Sequence, residues 1–358
     1  MNTRDLLNIR LYNQRLVGHT FNEPQQVVSW LGAMQSQNYD MAKWGIGLRT
    51  TGGTDKQVEA AINAGKIVRT HILRPTWHFV AAEDIHWMLE LSAPRVKVAF
   101  NSYGKTLGFD DRLHSETNDL LVKILQKTPH QTRQEIGQSL QAAGVRIRDN
   151  HELTYVMVRA ELDGIVCNGM VCNNKQTYAL LHEWVPREKD LSKEESLRKL
   201  AGKFFSSHGP ATLQDFLWWS GLLTSDAKKA IELIRHEFIC EEINGKSYWM
   251  KNDIQTPPAQ KDSALLLPAF DEFVVSYKDR SEILQEKNYR KVITRTGVFS
   301  PTITWNGQII GLWKRIKKSK IEVELTFFEK TDKEIESLFA KQVDAYKKYC
   351  DVKDTPIL

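Results

Sequence analysis

Two carboxamides flank one small residue in the run Gln35-Ser36-Gln37. Neither side chain titrates, so the pair cannot serve as a general acid or a strong base. Two amides can hold a water molecule or a polar part of a substrate, and their oxygens can stabilise developing positive charge. On a continuous helix, residues i and i+2 point about 200° apart and face no common ligand. The pair can therefore share a site only where a helix ends, and Asn38-Tyr39-Asp40 reads as such an end. Two ordinary surface or capping residues would also fit this pattern.

The elements around them repeat. Between about residues 115 and 185 a helix bears Leu120, Leu121, Ile124 and Leu125, and a break follows at Thr128-Pro129. A short helix then opens at a Thr132/Glu135 capping box, and a third helix carries Leu153, Val156, Met157 and Ala160. Two short strands close the unit at Gly164–Cys167 and Thr177–Leu180. The same order recurs between about residues 191 and 250. Leu197, Leu200, Ala201, Phe204 and Phe205 form a helical stripe, Thr212 opens a second helix, and Ala227, Ala230, Ile231 and Ile234 mark a third. The closing hairpin turns at Asn244-Gly245, because both turn residues must take positive φ. Three helices followed by a hairpin is the winged-helix layout, in which the last two helices form a helix-turn-helix.

A looser copy opens the chain. It has expected helices at 4–17, 24–35 and 55–64, and strands on either side of Arg74-Pro75. An insertion, Asn38 to Gly53, separates the second and third helices. The last third reads as a small α+β region: a strand at Leu265–Leu267, an Asn306-Gly307 hairpin, a strand at 321–328 and a final helix opening at Thr331. The fold class is α+β, three tandem winged-helix modules plus a small C-terminal α+β region. Expected boundaries are 1–112, 113–187, 188–255 and 256–358.

Hydrophobic residues make up 41% of the 358 and charged residues 26%, the balance of a folded chain with more than one core. The net charge of +5 is compatible with a polyanionic partner without specifying one. Cys167 and Cys172 lack the histidine pair of a zinc site, so neither metal nor cofactor is expected. There is no apolar run of membrane length and no signal-peptide layout at the N-terminus, which makes a cytoplasmic monomer the expectation. Lys314, Arg315, Lys317, Lys318 and Lys320 form a basic run with no acid among them, either a solvated edge or a phosphate contact.

Several segments, taken in order, resemble the AlkZ-like winged-helix DNA glycosylases, relatives of YcaQ. They are Gln35-Ser36-Gln37 followed by Trp44–Arg49, then Leu73–Val80, then Leu266–Asp271 with Tyr277–Arg280, and last Asn306–Trp313. Together they span about residues 25 to 315. The resemblance implies a C-shaped scaffold of three winged helices that embraces double-stranded DNA. It implies excision of alkylated purines, in some members from interstrand crosslinks, with Gln35 and Gln37 catalytic. The family motif has an apolar residue between its glutamines, where this chain has Ser36. Pro75 stands where a glycine is common. A sister group ends the motif in Asp.

The chemistry agrees with the resemblance. A cationic alkylpurine leaves as a neutral base, so the enzyme needs only to place water at C1′ and stabilise charge on the sugar. No lysine is required, and the product would be an abasic site. Arg74 at the hairpin tip, Thr76, His78 and the basic run at Lys314, Arg315, Lys317 and Lys318 are the candidate DNA ligands. His78 can equally be a hydrogen-bonded structural histidine. Asp271, Asp279 and Arg280 form a structural ion pair or support the site. The alternatives are a non-catalytic winged-helix DNA-binding protein, such as a regulator, and a protein–protein module.

Overall fold

The spacing of Val27, Val28, Leu31 and Met34 suits a helix continuing to Gln35, yet the chain turns four residues earlier. In the structure, a computed structural model that describes every residue except 19, 188–189, 253–261, 318–320 and 351–358, Gly32 takes φ +80° after Leu31. That left-handed region is open to glycine and costly for most other residues, so the helix stops there. Met34 is still buried, but against a sheet.

The first segment runs α1 (Thr3–Asn13), α2 (Pro24–Leu31), β1 (Ala33–Gln35), α3 (Tyr39–Gly47), α4 (Asp55–Asn63), β2 (Ile67–His71) and β3 (Trp77–Ala81). The expected insertion at 38–53 therefore holds α3, capped by Asn38, whose side-chain oxygen accepts from the Met41 N–H. The strands form an antiparallel sheet in the order β1-β3-β2. A 23-residue helix, α5 (Ile85–Leu107), follows; the sequence pattern missed it, and it contains Pro94.

The second segment repeats the order as α6 (Asp111–Lys127), β4 (Gln131–Thr132), α7 (Arg133–Ala142), α8 (Asn150–Leu162), β5 (Val166–Asn168) and β6 (Thr177–Leu180). Its strand order is β4-β6-β5, so in both sheets the strand just before the segment's last two helices pairs with the last strand. The short α9 (Leu181–Trp184) leads to a third segment of α10 (Lys193–His208), α11 (Leu213–Ser220), α12 (Thr224–Ile234), β7 (Phe238–Ile243) and β8 (Lys246–Lys251). There an isolated bridge between Ala211 and Trp249 takes the place of the first strand. Thr132 and Thr212 cap α7 and α11 with reciprocal capping boxes, and Asn244 and Gly245 take φ of +50° and +74°, as those motifs require.

The last segment contains β9 (Ala264–Leu267), α13 (Glu272–Val275), α14 (Tyr289–Val292), β10 (Thr302–Trp305), β11 (Gln308–Lys317), β12 (Ile321–Phe327) and α15 (Lys333–Cys350). Its four strands form one antiparallel sheet, β12-β11-β10-β9.

The two faces of the first sheet pack on different neighbours. Ala33, Val68 and Val80 join Leu200, Phe204, Phe205, Phe216 and Trp219 from α10 and α11 in one core. Met34 and Phe79 join Leu266, Ile303, Trp313 and Phe339 of the last segment in another. Each buried Val, Leu, Ile, Phe or Met among them is worth about 1.5–3 kcal/mol, so the sheet is held on both sides. Because side chains alternate along a strand, Gln35 shares the face of Ala33 and looks toward α10 and α11.

Candidate active site

The Gln35-Ser36-Gln37 backbone is held by groups from three parts of the chain. The Gln35 N–H donates to Glu272 Oε1 at 2.7 Å, and the Ser36 N–H donates to the Trp77 carbonyl at 2.7 Å. The Ser36 carbonyl accepts from Arg69 Nη2 at 2.9 Å and Nε at 3.3 Å. Arg69 stacks on the Trp77 ring at 4.1 Å and also donates to Gln176, in the loop between β5 and β6. Burial lowers its pKa to about 10, which still leaves it cationic at neutral pH. The second segment thus braces the glutamine motif through one guanidinium.

Gln35 is 8% exposed and Ser36 is fully buried, whereas Gln37 is exposed. Gln35 ends β1 and Gln37 lies at the bend before α3, so the motif is not helical and the roughly 200° separation of i and i+2 on a helix does not apply. The Ser36 Oγ is buried without a hydrogen-bond partner among the described residues, which is the structural cost of a polar residue at the middle position.

Cross-strand pairing sets His78 beside Gln35 and Thr70 beyond it. His78 Nδ1 lies 2.9 Å from the Thr76 carbonyl, so this nitrogen carries the hydrogen. Nε2 is then the acceptor, 3.3 Å from Arg74 Nη2. The same Nη2 lies 3.2 Å from Gln35 Oε1. Burial, reinforced by the Arg74 charge, pushes the His78 pKa down to about 3. His78 is 0% exposed with both ring nitrogens engaged, which corrects the DNA-facing reading: it is a structural histidine next to the glutamine. Its displacement is also a stability statement. The unfolded chain protonates this residue near pH 6.5, while the folded chain resists down to about 3. Its contribution is complete above pH 6.5 and is lost at about 1.4 kcal/mol per unit as pH falls toward 3. Acid unfolding measured on the parent and on His78→Asn should show a shallower loss in the variant; identical slopes would refute this account.

Behind Gln35 stands Glu272, which the sequence pattern did not single out. It accepts from the Gln35 N–H, from Trp219 Nε1 at 3.2 Å and from Ser276 Oγ at 2.5 Å. Burial alone would raise its pKa. His208, 3.7 Å away, and the hydrogen bonds it accepts outweigh burial and hold the carboxyl below its ordinary range. The neighbouring Asp271 does not pair with Arg280. It forms a bidentate pair with buried Arg49, 2.9 Å on each oxygen, and caps α13 through the Phe273 N–H. Arg280 donates to the Val274, Val275 and Lys278 carbonyls, and Asp279 pairs with Lys246. The expected Asp–Arg pair is thus replaced by three separate structural roles.

The candidate DNA ligands divide. Arg74 and Thr76 lie half-buried in the turn next to Gln35. The basic run lies on β11, on the C-terminal sheet. Lys314 faces Glu324 of β12 and pairs with it at 3.0 Å, so part of its charge is neutralised across the strands. Arg315 follows it on β11 and is half-buried. Lys317 ends β11, and Lys318 and Lys320 lie outside the described residues. Glu324 on β12 thus supplies Lys314 with a counter-charge that the run itself lacks.

Among the described residues, no helix is long and apolar enough to cross a membrane. The sequence matches, over residues 28–349, the profile of a family described as DNA glycosylase AlkZ-like. The chain belongs to the AlkZ-like DNA glycosylase family. Membership makes it an enzyme and sets aside the regulator and protein–protein alternatives. A curated AlkZ-like relative from Streptomyces sahachiroi, named interstrand DNA cross-link repair glycosylase, is 21% identical over 347 residues, covering 92% of this chain and 91% of the relative. The solved structure of Streptomyces sahachiroi DNA glycosylase AlkZ superposes with a TM-score of 0.83 at 20% identity, covering 100% of this chain and 99% of that one. The mixed α+β architecture is therefore that of AlkZ.

Proposed function

We propose that the chain is a monofunctional DNA glycosylase that hydrolyses the N-glycosidic bond of cationic alkylated purines in duplex DNA. Its scaffold is read as three winged helices, 1–112, 113–187 and 188–255, followed by the C-terminal α+β region at 256–358. The observation that carries the reading is the clamped glutamine motif on β1. Its backbone is fixed by Glu272, Trp77 and Arg69, and its nearest ionisable neighbours keep one charge state near neutral pH.

Such a site suits a leaving group that needs no proton. In 7-alkylguanine and 3-methyladenine the base is already cationic. As the C1′–N bond breaks, its electron pair goes to the base, which departs neutral. Water adds its oxygen to C1′ and one of its protons passes to solvent. Gln37, exposed at the end of the motif, positions that water; Gln35 helps hold the water or the sugar. Thr76, Lys314, Arg315, Lys317 and Lys318 are the DNA ligands of this reading, and the protein acts as a cytoplasmic monomer without a cofactor. The cross-link substrate in the relative's name is taken as a further candidate lesion.

The test is excision from methylated duplex DNA. Free 7-methylguanine should appear, and strands should break only after alkali, as expected of an abasic product. Strand cleavage without alkali would overturn the monofunctional reading, and absence of released base would overturn the substrate class. The rate should stay flat between about pH 5.5 and 7.5, because a site without a titrating acid or base gives no bell-shaped profile. A limb in that window would assign catalysis to another group.

A further inference from the structure

Among the described residues, Arg74 is the one guanidinium hydrogen-bonded to the side chain of a candidate catalytic glutamine. It lies in the five-residue turn between β2 and β3, which is held on several sides. The Leu73 N–H donates to Ser92 Oγ at 3.1 Å, and Leu73 takes φ +60°. A Cβ at Gly221 would lie 2.5 Å from the Leu73 carbonyl oxygen, so the turn packs directly on the end of α11. Arg74 Nη1 reaches the Trp218 carbonyl at 3.5 Å, and Nη2 is shared between His78 Nε2 and Gln35 Oε1. A guanidinium has donors and no acceptor, so the Gln35 atom it meets must be the amide oxygen. The NH2 is then the other end of the carboxamide.

On the reading given under the proposed function, we propose that Arg74 is a positioning residue. It turns the Gln35 carboxamide so that the NH2 faces the reacting centre, making Gln35 a hydrogen-bond donor and leaving Gln37 as the acceptor that holds the water. A donor placed there meets the electron pair that the departing base gains in the transition state, where fixed dipoles contribute most. His78 supports the arrangement. Its neutral Nε2 takes the other branch of Nη2, and it cannot compete with Gln35 by donating.

The alternative for Arg74 is a phosphate or minor-groove ligand, and the two roles separate experimentally. Single-turnover release of 7-methylguanine is measured for the parent, Arg74→Lys, Arg74→Met, Gln35→Ala and the Arg74→Met/Gln35→Ala double variant. Duplex affinity is followed across a salt series for each. A lysine keeps the charge and can contact phosphate, but it lacks the planar fork that reaches Gln35, His78 and Trp218 together. Arg74→Lys is expected to keep the parent affinity and salt slope yet release base about 10- to 100-fold more slowly, the scale of a misplaced reacting group. Arg74→Met should slow the parent similarly and have almost no further effect once Gln35 is alanine, because it acts through that side chain. Full rescue by lysine, a reduced salt slope in Arg74→Met, or additive losses in the double variant would each overturn the proposal. A Gln35→Ala variant as fast as the parent would instead bring down the assignment of Gln35 to the site, a separate outcome.

Discussion

Gln37→Ala is expected to release 7-methylguanine from methylated duplex DNA roughly 10²- to 10³-fold more slowly than the parent. That is the scale of removing one fixed polar group from a transition state. Stability and duplex affinity should change little, because Gln37 is exposed and the clamp acts on its neighbours, through the Gln35 N–H and both backbone groups of Ser36. The loss should therefore fall on the rate of the chemical step. Gln37→Glu gives a second reading of the same position. A carboxylate can hold water and also take its proton, so activity should survive while acquiring an acid limb near the ordinary carboxylate pKa, about 4.3. The sister group of the resemblance ends its motif in Asp, in keeping with that expectation. Release by Gln37→Ala at the parent rate would remove this residue from the mechanism, and the hydrolytic water would then need another holder.

The features legible in the sequence were those governed by neighbours in the chain. The hairpins at Asn244-Gly245 and Asn306-Gly307 form because both turn residues must take positive φ, and all four do. The Thr132 and Thr212 capping boxes open helices at the expected residues. Where two local readings competed, the pattern failed. Val27, Val28, Leu31 and Met34 are spaced for one long helix, but Met34 is also a good inward residue for a strand, and Gly32 decides between them. Missing that break made α3 look like an insertion and placed the glutamines at a helix end. In the structure, the strand they leave precedes the last two helices of the first segment, as β4 does in the second.

The supports of the site were illegible for a different reason. Glu272 binds the Gln35 N–H from 237 residues away, and Arg69 binds the Ser36 carbonyl from 33. No periodicity connects such positions. Glu272 follows Asp271 in a segment already singled out, yet its role depends on how α13 meets β1. His78 shows the reverse case. Strand alternation placed it opposite Trp77 and Phe79 correctly, but its face is covered by the third segment and not by solvent.

Asp271→Ala is expected to be the most destabilising single change near the site, costing about 3–5 kcal/mol, the range for removing one member of a buried ion pair. Arg49 is fully buried. Its five N–H groups go to Asp271, Gly45 and Gln14, with two bonds to the carboxylate at 2.9 Å. Without Asp271 the guanidinium keeps its charge and loses its counter-charge in a place water does not reach. The same change removes the cap of α13, the short helix that carries Glu272 to the Gln35 N–H. Stability and catalysis are thus linked through one carboxylate. Chemical denaturation of the full chain should show the loss, and a change below about 1 kcal/mol would contradict a buried, unscreened pair. Asp271→Asn keeps the shape and an oxygen for the cap, so it should cost less and retain measurable base release. Replacing both partners, Arg49→Met with Asp271→Leu, should recover much of the stability lost in Asp271→Ala, because no uncompensated charge remains. Base release by that double variant should stay low if the Asp271 cap is what holds Glu272 beneath Gln35.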